Sequence, residues 1–461
     1  MGKNKIDMLS GPLFKNIVAY TIPIILTGIL QLLFNAADLV VVGRFCGSNS
    51  VGAVGTTTSM IHLIVNLFIG ISMGAGVSTA YAIGAKDDEL LSKTIHTAIP
   101  TAFISGVVLT VVGLISCNTL LDWMGTPKEF IELSAVYCRI YFLGMVANMV
   151  YNFGAAILRA TGDSRSPLIF LTIAGVLNVV LNVIFVTAFH MDVAGVALAT
   201  IISQFLSAIL VVIALMRRTD ACKFIFKKMK LDFNVIKKIL KIGLPAGIQS
   251  TVFSFSNVII QSSVNSFGNI AVAGNSAAAN IEGFVYILMN SFYQTSLNFT
   301  GQNAGAGNYK RSLKVYKTCL LSVAVCGLIA GALVYAFARP LLSIYITDSA
   351  KAIEYGVTRL TFICLPYFLC GIMEVTTGAI RGMGVSVGPM LISLVGVCGV
   401  RLGWIFTVFQ NPRWHSLESL FLSYIVSWIF TFLALLIMYI SIYRERLLSK
   451  RHFKDKRVNA V

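Results

Sequence analysis

Apolar runs long enough to cross a membrane follow one another along almost the whole chain, with short polar segments between them. A hydrocarbon core about 30 Å thick is crossed by roughly 20 residues of α-helix. The pattern predicts an all-α integral membrane protein with twelve transmembrane helices. They are expected near residues 16–43, 51–82, 94–120, 131–158, 166–189, 194–217, 236–265, 271–300, 313–338, 354–380, 387–409 and 418–444.

Sequence landmarks recur at a spacing of 221 or 222 residues, which indicates an internal repeat. TIPIIL around Pro23 matches GLPAGI around Pro245, AIGAKDD matches NAGAGNY, and ILRATGDSRSP matches AIRGMGVSVGP. Six helices per repeat give the two halves parallel topology, as in transporters with duplicated halves. We predict two pseudo-symmetric six-helix lobes, 1–217 and 241–461, joined by a basic cytoplasmic linker over 218–240.

A polar stripe on the first predicted helix singles out Asp38. Thr27, Gln31, Asn35 and Asp38 are spaced by four, four and three residues, so they share one face of the helix. Ionisable groups inside membrane spans are expensive and mark functional sites by default. Asp38 could take up and release a proton, or bind a sodium ion when ionised. The alternative is a structural acid that neighbouring amides hydrogen-bond.

Asn178 and Asn182 lie four residues apart on the fifth predicted helix, and Thr200 lies on the sixth. The two asparagines therefore share a face. With Asp38 these polar side chains could complete an ion site. They could equally hold helices together by hydrogen bonds, as polar residues do in membranes.

Glu282 and Glu374 are the deep acids of the second half, on the predicted eighth and tenth helices. Either one could meet a cationic substrate or an ion, or could be neutral and hydrogen-bonded. Gln249 and Asn257 belong to a polar face of the seventh helix, suited to cavity lining or to helix packing. Arg401, in the eleventh helix, could pair with an acid or serve a structural role.

Composition and charge narrow the class of protein. Hydrophobic residues make up 57% and charged residues 12% of the chain, against about 25% charged in soluble domains. With both termini in the cytoplasm, 28 of the 36 Lys and Arg residues fall on the inner side and 7 on the outer side. This bias follows the positive-inside rule, so the net charge of +17 reflects membrane topology and no nucleic-acid partner is expected.

Motifs for ATP binding or for catalysis are absent from the sequence. It contains no GxxxxGK[ST] or HExxH motif and no Cys/His cluster, and the GxSxG patterns at 70–74 and 384–388 do not suggest an enzyme. We therefore expect no enzyme activity, no cofactor, and no metal apart from a possible sodium ion at Asp38. Transport would have to be passive or to draw on an ion gradient.

Several segments resemble the multidrug and toxic compound extrusion (MATE) family of bacterial type, over about residues 11 to 446. They are NAADLVVVGRF with Asp38, ILRATGDSRSP, GLPAGIQ, SFGNIAVAGNS, QNAGAGNYKR and AIRGMGVSVGP. The resemblance implies two lobes around a cavity that opens to either side in turn. It also implies efflux of small organic cations, exchanged for H⁺ or Na⁺ across the plasma membrane, with antibiotic resistance as a consequence. A monomer surrounded by lipid is the simplest assembly.

The resemblance also implies an ion site in the first lobe, to which Asp38, Asn178 and Thr200 correspond. The family's second carboxylate on the fifth helix is replaced by Asn182, and the usual proline beside it by Val183. This departure leaves the ion and the lobe that binds it open, and Glu282 or Glu374 would serve if coupling lies in the second lobe.

A flippase for lipid-linked saccharides from a related superfamily is the alternative function. Its cavity would need strong positive charge to bind phosphates. Three deep acids against one deep arginine disfavour it. A receptor or a membrane-embedded enzyme is disfavoured by the repeat and by the missing catalytic clusters.

Overall fold

The computed structural model describes residues 5–347 and 349–458, apart from the side chains of residues 48, 59, 62, 63 and 449–458. All regular structure in this part of the chain is helical. Twelve long segments, here α1–α12, follow the predicted order. They are α1 Leu13–Phe45, α2 Ser48–Ala85, α3 Asp88–Trp123, α4 Ile131–Leu143 with Met145–Ala160, α5 Arg165–Thr187, α6 Asp192–Met216, α7 Phe233–Asn265, α8 Asn269–Gly305, α9 Tyr309–Ala336, α10 Ala350–Arg359 with Phe368–Gly382, α11 Val387–Ser393 with Val400–Phe406, and α12 Leu417–Val458.

Hydropathy alone identifies most of these segments as membrane spans. Among the described residues, eight are long and apolar enough to cross by themselves, and counting bent α4 and α10 as single spans gives ten. Of the remaining two, α7 carries the predicted polar face with Gln249 and Asn257, and α8 carries the deep acid Glu282. The predicted fold, twelve helices in two six-helix halves, is confirmed by this order of elements and by the structural comparisons below.

Corresponding helices of the two halves share their irregularities. The helix α4 is bent by 50° between its two segments, and α10 is bent by 42°. Gly162 follows α4 with φ of +93°, and Gly384 follows α10, 222 residues later, with φ of +87°. Only glycine adopts such angles without strain. The repeated ILRATGDSRSP and AIRGMGVSVGP motifs are thus turn signals with the same backbone requirement.

Pro23 and Pro245 lie inside α1 and α7. A proline in a first helical turn is tolerated, but here at least ten helical residues precede each one. Neither proline therefore marks the start of a helix. An interior proline removes a backbone hydrogen bond and favours a kink.

The described chain divides into two compact units, and α1 and α7 each contribute to both. One unit comprises Ile22–Thr251 with the N-terminal residues to Asp7, and the other comprises Met8–Thr21 and Val252–Val461. The lobe boundaries predicted at 217 and 241 concern membrane topology and stay a prediction.

In the first unit, α2 and α7 cross through glycines spaced four residues apart. A Cβ atom on Gly70 would lie 2.2 Å from the backbone nitrogen of Gly247, and one on Gly74 would lie 2.1 Å from the carbonyl oxygen of Ile239. Small residues let membrane helices approach this closely. No side chain separates the two helices at this crossing, which we call the glycine crossing.

The second unit builds the equivalent contact from hydroxyls. Thr21 on α1 and Thr295 on α8 correspond in the repeat to Gly243 and Gly74. Their Oγ1 atoms are 2.8 Å apart, and either hydroxyl can donate to the other. Each also lies within hydrogen-bond distance of a carbonyl oxygen of its own helix, Ile17 at 2.7 Å for Thr21 and Ser291 at 2.8 Å for Thr295. The repeated architecture therefore tolerates two chemistries at one position.

Candidate ion and substrate sites

Asp38 lies at the end of a chain of hydrogen bonds that links three helices of the first unit. Asn182 Nδ2 on α5 donates to Asp38 Oδ1 on α1 at 2.5 Å and lies 3.4 Å from Asn178 Oδ1. Asn178 Nδ2 in turn donates to Thr200 Oγ1 on α6 at 3.3 Å. The structure thus brings together all four residues predicted for the first lobe.

Close approach of α1 and α5 makes this geometry possible. A Cβ atom on Gly175 would lie 1.9 Å from the ring of Phe34. Phe34 precedes Asp38 by four residues, and Gly175 precedes Asn178 by three, so each pair shares a helix face. The ring therefore packs where α5 has no side chain, one turn before the polar residues meet.

The Asp38 site keeps an unused acceptor. Asn182 is fully buried, and its Oδ1 atom has no hydrogen-bond partner among the described residues. A buried acceptor without a partner costs about 1–3 kcal/mol. Within the same set of residues, no Lys or Arg pairs with Asp38. Tyr137 and Tyr141 of α4 lie near enough to interact with its charge. A carboxylate, an amide oxygen and nearby phenols are ligands suited to a proton or to sodium.

Glu282 has a different environment, because Arg359 neutralises it. Arg359 Nη2 and Nε lie 2.6 and 3.1 Å from Glu282 Oε2, and Tyr367 donates to Oε1 at 3.2 Å. Arg359 Nη1 also donates to Asn275 Oδ1 at 2.5 Å. The structure therefore gives Glu282 an arginine partner that the sequence analysis did not name.

The count of three deep acids against one deep arginine is wrong. Arg359, which the charge count placed outside, is 8% exposed and lies within α10, and Arg381 is 4% exposed. The predicted tenth helix began at residue 354, so its boundary already placed Arg359 inside a span. The position of Arg359, five residues after the start of a predicted span, could have identified it as a deep arginine from the sequence.

Glu374 stands apart from both of these networks. It is partly buried on α10, and among the described residues it makes no hydrogen bond or ion pair. Tyr286 and Tyr293 of α8 lie within reach of its charge, as does Arg381, which donates to the Tyr293 hydroxyl at 2.8 Å. Glu374 is therefore an acid of the second unit that could bind an ion or a cationic substrate.

The polar face predicted on α7 is divided. Gln249 is 5% exposed and belongs to the first unit, whereas Asn257 is exposed and belongs to the second.

Arg401 pairs with no acid in the described chain. Its Nε atom donates to Ser427 Oγ at 3.0 Å. Its guanidinium carbon lies 3.9 Å from the ring centroid of Tyr424 and 5.8 Å from that of Trp428. Cation–π contacts contribute about 0.5–2 kcal/mol, less than the several kcal/mol that desolvating a charge costs.

Comparison with known proteins gives a consistent result. The MatE family model matches residues 23–184 and again 245–406, one match in each half. The probable multidrug resistance protein YoeA of Bacillus subtilis is 27% identical over 397 residues, covering 84% of this chain and 85% of YoeA. The multidrug export protein MepA of Staphylococcus aureus is 22% identical over 384 residues, covering 83% of this chain and 85% of MepA.

Solved structures show the same fold. A MATE protein in its bent conformation superposes with a TM-score of 0.86 at 22% identity, covering 97% of this chain and 98% of that one. An outward-facing multidrug resistance MATE transporter of the MOP superfamily gives 0.87 at 22% identity, covering 96% and 98%. Since the family model matches both halves of the twelve-helix fold, the chain belongs to the MatE family and is a MATE-type membrane transporter.

Proposed function

We propose that this chain is a secondary active multidrug exporter that exchanges amphipathic organic cations for H⁺ or Na⁺ at Asp38. Its relatives are named for multidrug resistance or export. The observation that carries the proposal is the Asp38 site, where a carboxylate without a cationic partner meets a buried amide whose oxygen is unused.

Asn182 can serve both charge states of Asp38. An amide presents donors on nitrogen and an acceptor on oxygen. Its nitrogen donates to an ionised carboxylate, as in the structure. After rotation of the amide, its oxygen would accept from a protonated Asp38, or would join the carboxylate in binding sodium. The site therefore works with one carboxylate where related sites use two.

Coupling requires that the ion bind the two states of the transporter unequally, because a ligand shifts an equilibrium only by its differential affinity. Proton or sodium binding would remove the charge on Asp38 and change its contact with α5. Since Asp38 lies fifteen residues after Pro23 on α1, this change can alter the bend of that helix. We propose alternating access on this basis, by a monomer in the plasma membrane with both termini in the cytoplasm.

The test is transport in liposomes. Uptake or release of ethidium would be followed with a proton gradient and a sodium gradient imposed separately, for wild type and Asp38→Asn. We expect one gradient to drive transport and Asp38→Asn to reduce it to the level of protein-free liposomes. The effective gradient identifies the ion.

Glu374→Gln tests the alternative location of coupling in the second unit, and binding of ethidium to this variant, measured separately, distinguishes loss of the ion site from loss of substrate binding. Coupled transport that survives Asp38→Asn but is lost in Glu374→Gln would contradict the proposal and move the ion site to the second unit. Transport that neither gradient drives would contradict ion-coupled export altogether.

A further inference from the structure

Arg401 lies beside an irregular turn of a membrane helix. The α11 backbone is π-helical over Leu394–Gly399, and regular α-helix resumes at Val400–Phe406. π-helical turns occur frequently at functional sites. The irregular turn thus immediately precedes the residue that carries the buried charge.

Aromatic rings of α12 position the Arg401 guanidinium. Tyr424 and Trp428 are four residues apart on α12, so they present their rings on one face. Tyr424 lies closest, at 3.9 Å from its ring centroid to the guanidinium carbon, and Ser427 accepts from Nε. Only the outer edge of the fork, with its two Nη groups, is left without a hydrogen-bond acceptor in the described chain.

Arg359 shows what a satisfied arginine looks like in the same unit. It bonds to a carboxylate through two nitrogens and to an amide oxygen through a third. Arg401 is buried even more completely, at 5% exposed against 8%, and has no carboxylate among the described residues. A largely buried guanidinium whose two Nη groups have no acceptor among the described residues leaves those groups available to an anion.

We propose that Arg401 is a substrate subsite that binds the carboxylate of an aromatic, dipolar compound. The inference rests on the proposed function and specifies its substrates. A guanidinium fork matches a carboxylate with two parallel hydrogen bonds. Glu374, which makes no hydrogen bond or ion pair among the described residues of the same unit, would supply the opposite charge for the compound's cationic group. The transporter would thus accept compounds that carry a carboxylate as well as a positive charge.

A matched pair of dyes tests the subsite. A rhodamine free acid carries a cationic ring system and a carboxylate, and its methyl ester keeps the ring system without the carboxylate. Fluorescence polarisation would measure binding of each dye to the full chain in nanodiscs, for wild type, Arg401→Met, Arg401→Lys and the exposed control Arg413→Gln. We expect Arg401→Met to weaken binding of the free acid by about tenfold or more, the size of one charge-assisted hydrogen bond, and to spare the ester.

Arg401→Lys keeps the positive charge but loses the two parallel hydrogen bonds of the guanidinium. It should therefore give an intermediate loss of affinity for the free acid. Equal losses for both dyes in Arg401→Met would make Arg401 a structural residue and overturn the inference. So would a wild-type protein that does not bind the free acid, or an unchanged affinity in Arg401→Met. Transport of the ester in liposomes reports the proposed function separately, because the ester does not need Arg401.

Discussion

Asp38 and Glu282 are both carboxylic acids on membrane helices, one in each unit, but their partners differ. Asp38 receives a hydrogen bond from a neutral amide and leaves an acceptor unused beside it. Glu282 is held by two guanidinium nitrogens and a tyrosine. A carboxylate that is already paired with a cation gains little by binding an ion. An unpaired carboxylate gains more. The partner, more than the acid itself, is therefore our reason for proposing an ion site at Asp38 and a structural ion pair at Glu282.

The strongest way to break this comparison is to neutralise each acid in turn. Glu282→Gln leaves Arg359 buried without its counter-charge, which we expect to lower the free energy of unfolding by about 3–5 kcal/mol. Asp38→Asn removes an unmatched charge and should not lower it. Thermal unfolding in detergent measures both.

Glu282→Gln with Arg359→Gln is the double variant that supports this explanation. It should recover most of the stability lost in Glu282→Gln, because no buried charge then remains unpaired. A double variant no more stable than Glu282→Gln would show that the ion pair is not the cause.

Asn182→Leu should produce the next largest effect, a change in the ion dependence of transport. Removing the hydrogen bond to a carboxylate costs about 1.5–3 kcal/mol, so the ion concentration needed for half-maximal transport should change by about ten- to a hundredfold. Asn152→Leu is the matched control, since that amide donates to Asn148 and lies outside the Asp38 network. An unchanged ion dependence in Asn182→Leu would remove Asn182 from the site.

Gly175→Ala sharpens the comparison by moving the helix that carries the amide. The added methyl group overlaps the Phe34 ring, and overpacking of this kind costs about 1–3 kcal/mol. We expect lower thermal stability and weaker ion dependence together. Gly55→Ala is the control, because its methyl group would meet no atom within 4 Å and should be neutral or stabilising. Equal behaviour of the two variants would argue against close packing at Gly175.

Much of the fold is predictable because hydropathy and the repeat carry it. The twelve segments, their order and the shared landmarks near Gly162 and Gly384 all come from local patterns. The four residues of the Asp38 site are predictable as well, since helical spacing puts Asn178 and Asn182 on one face. Which helix presents a partner to that face depends on how the helices pack. The spacing of residues within a single helix does not predict this packing.

The Glu282 site shows where local patterns fail. An acid in a membrane helix indicates that some partner is required, but the partner is 77 residues away, and the charge count placed it on the outer side although the predicted tenth helix included it. Arg401 is the reverse case, where pairing with an acid was a reasonable expectation and aromatic rings take that place instead. Both differences arise from tertiary contacts.

The glycine crossing has a consequence for movement. Where helices meet through interlocking side chains, sliding one past the other requires each side chain to leave one rotamer for another. At Gly70, Gly74 and Gly247 the backbones touch directly, so no rotamer has to change. The Thr21–Thr295 contact, in contrast, must break a hydrogen bond before it can shift. One crossing of the repeated pair can thus slide without a change of rotamer, whereas the other must first break a hydrogen bond.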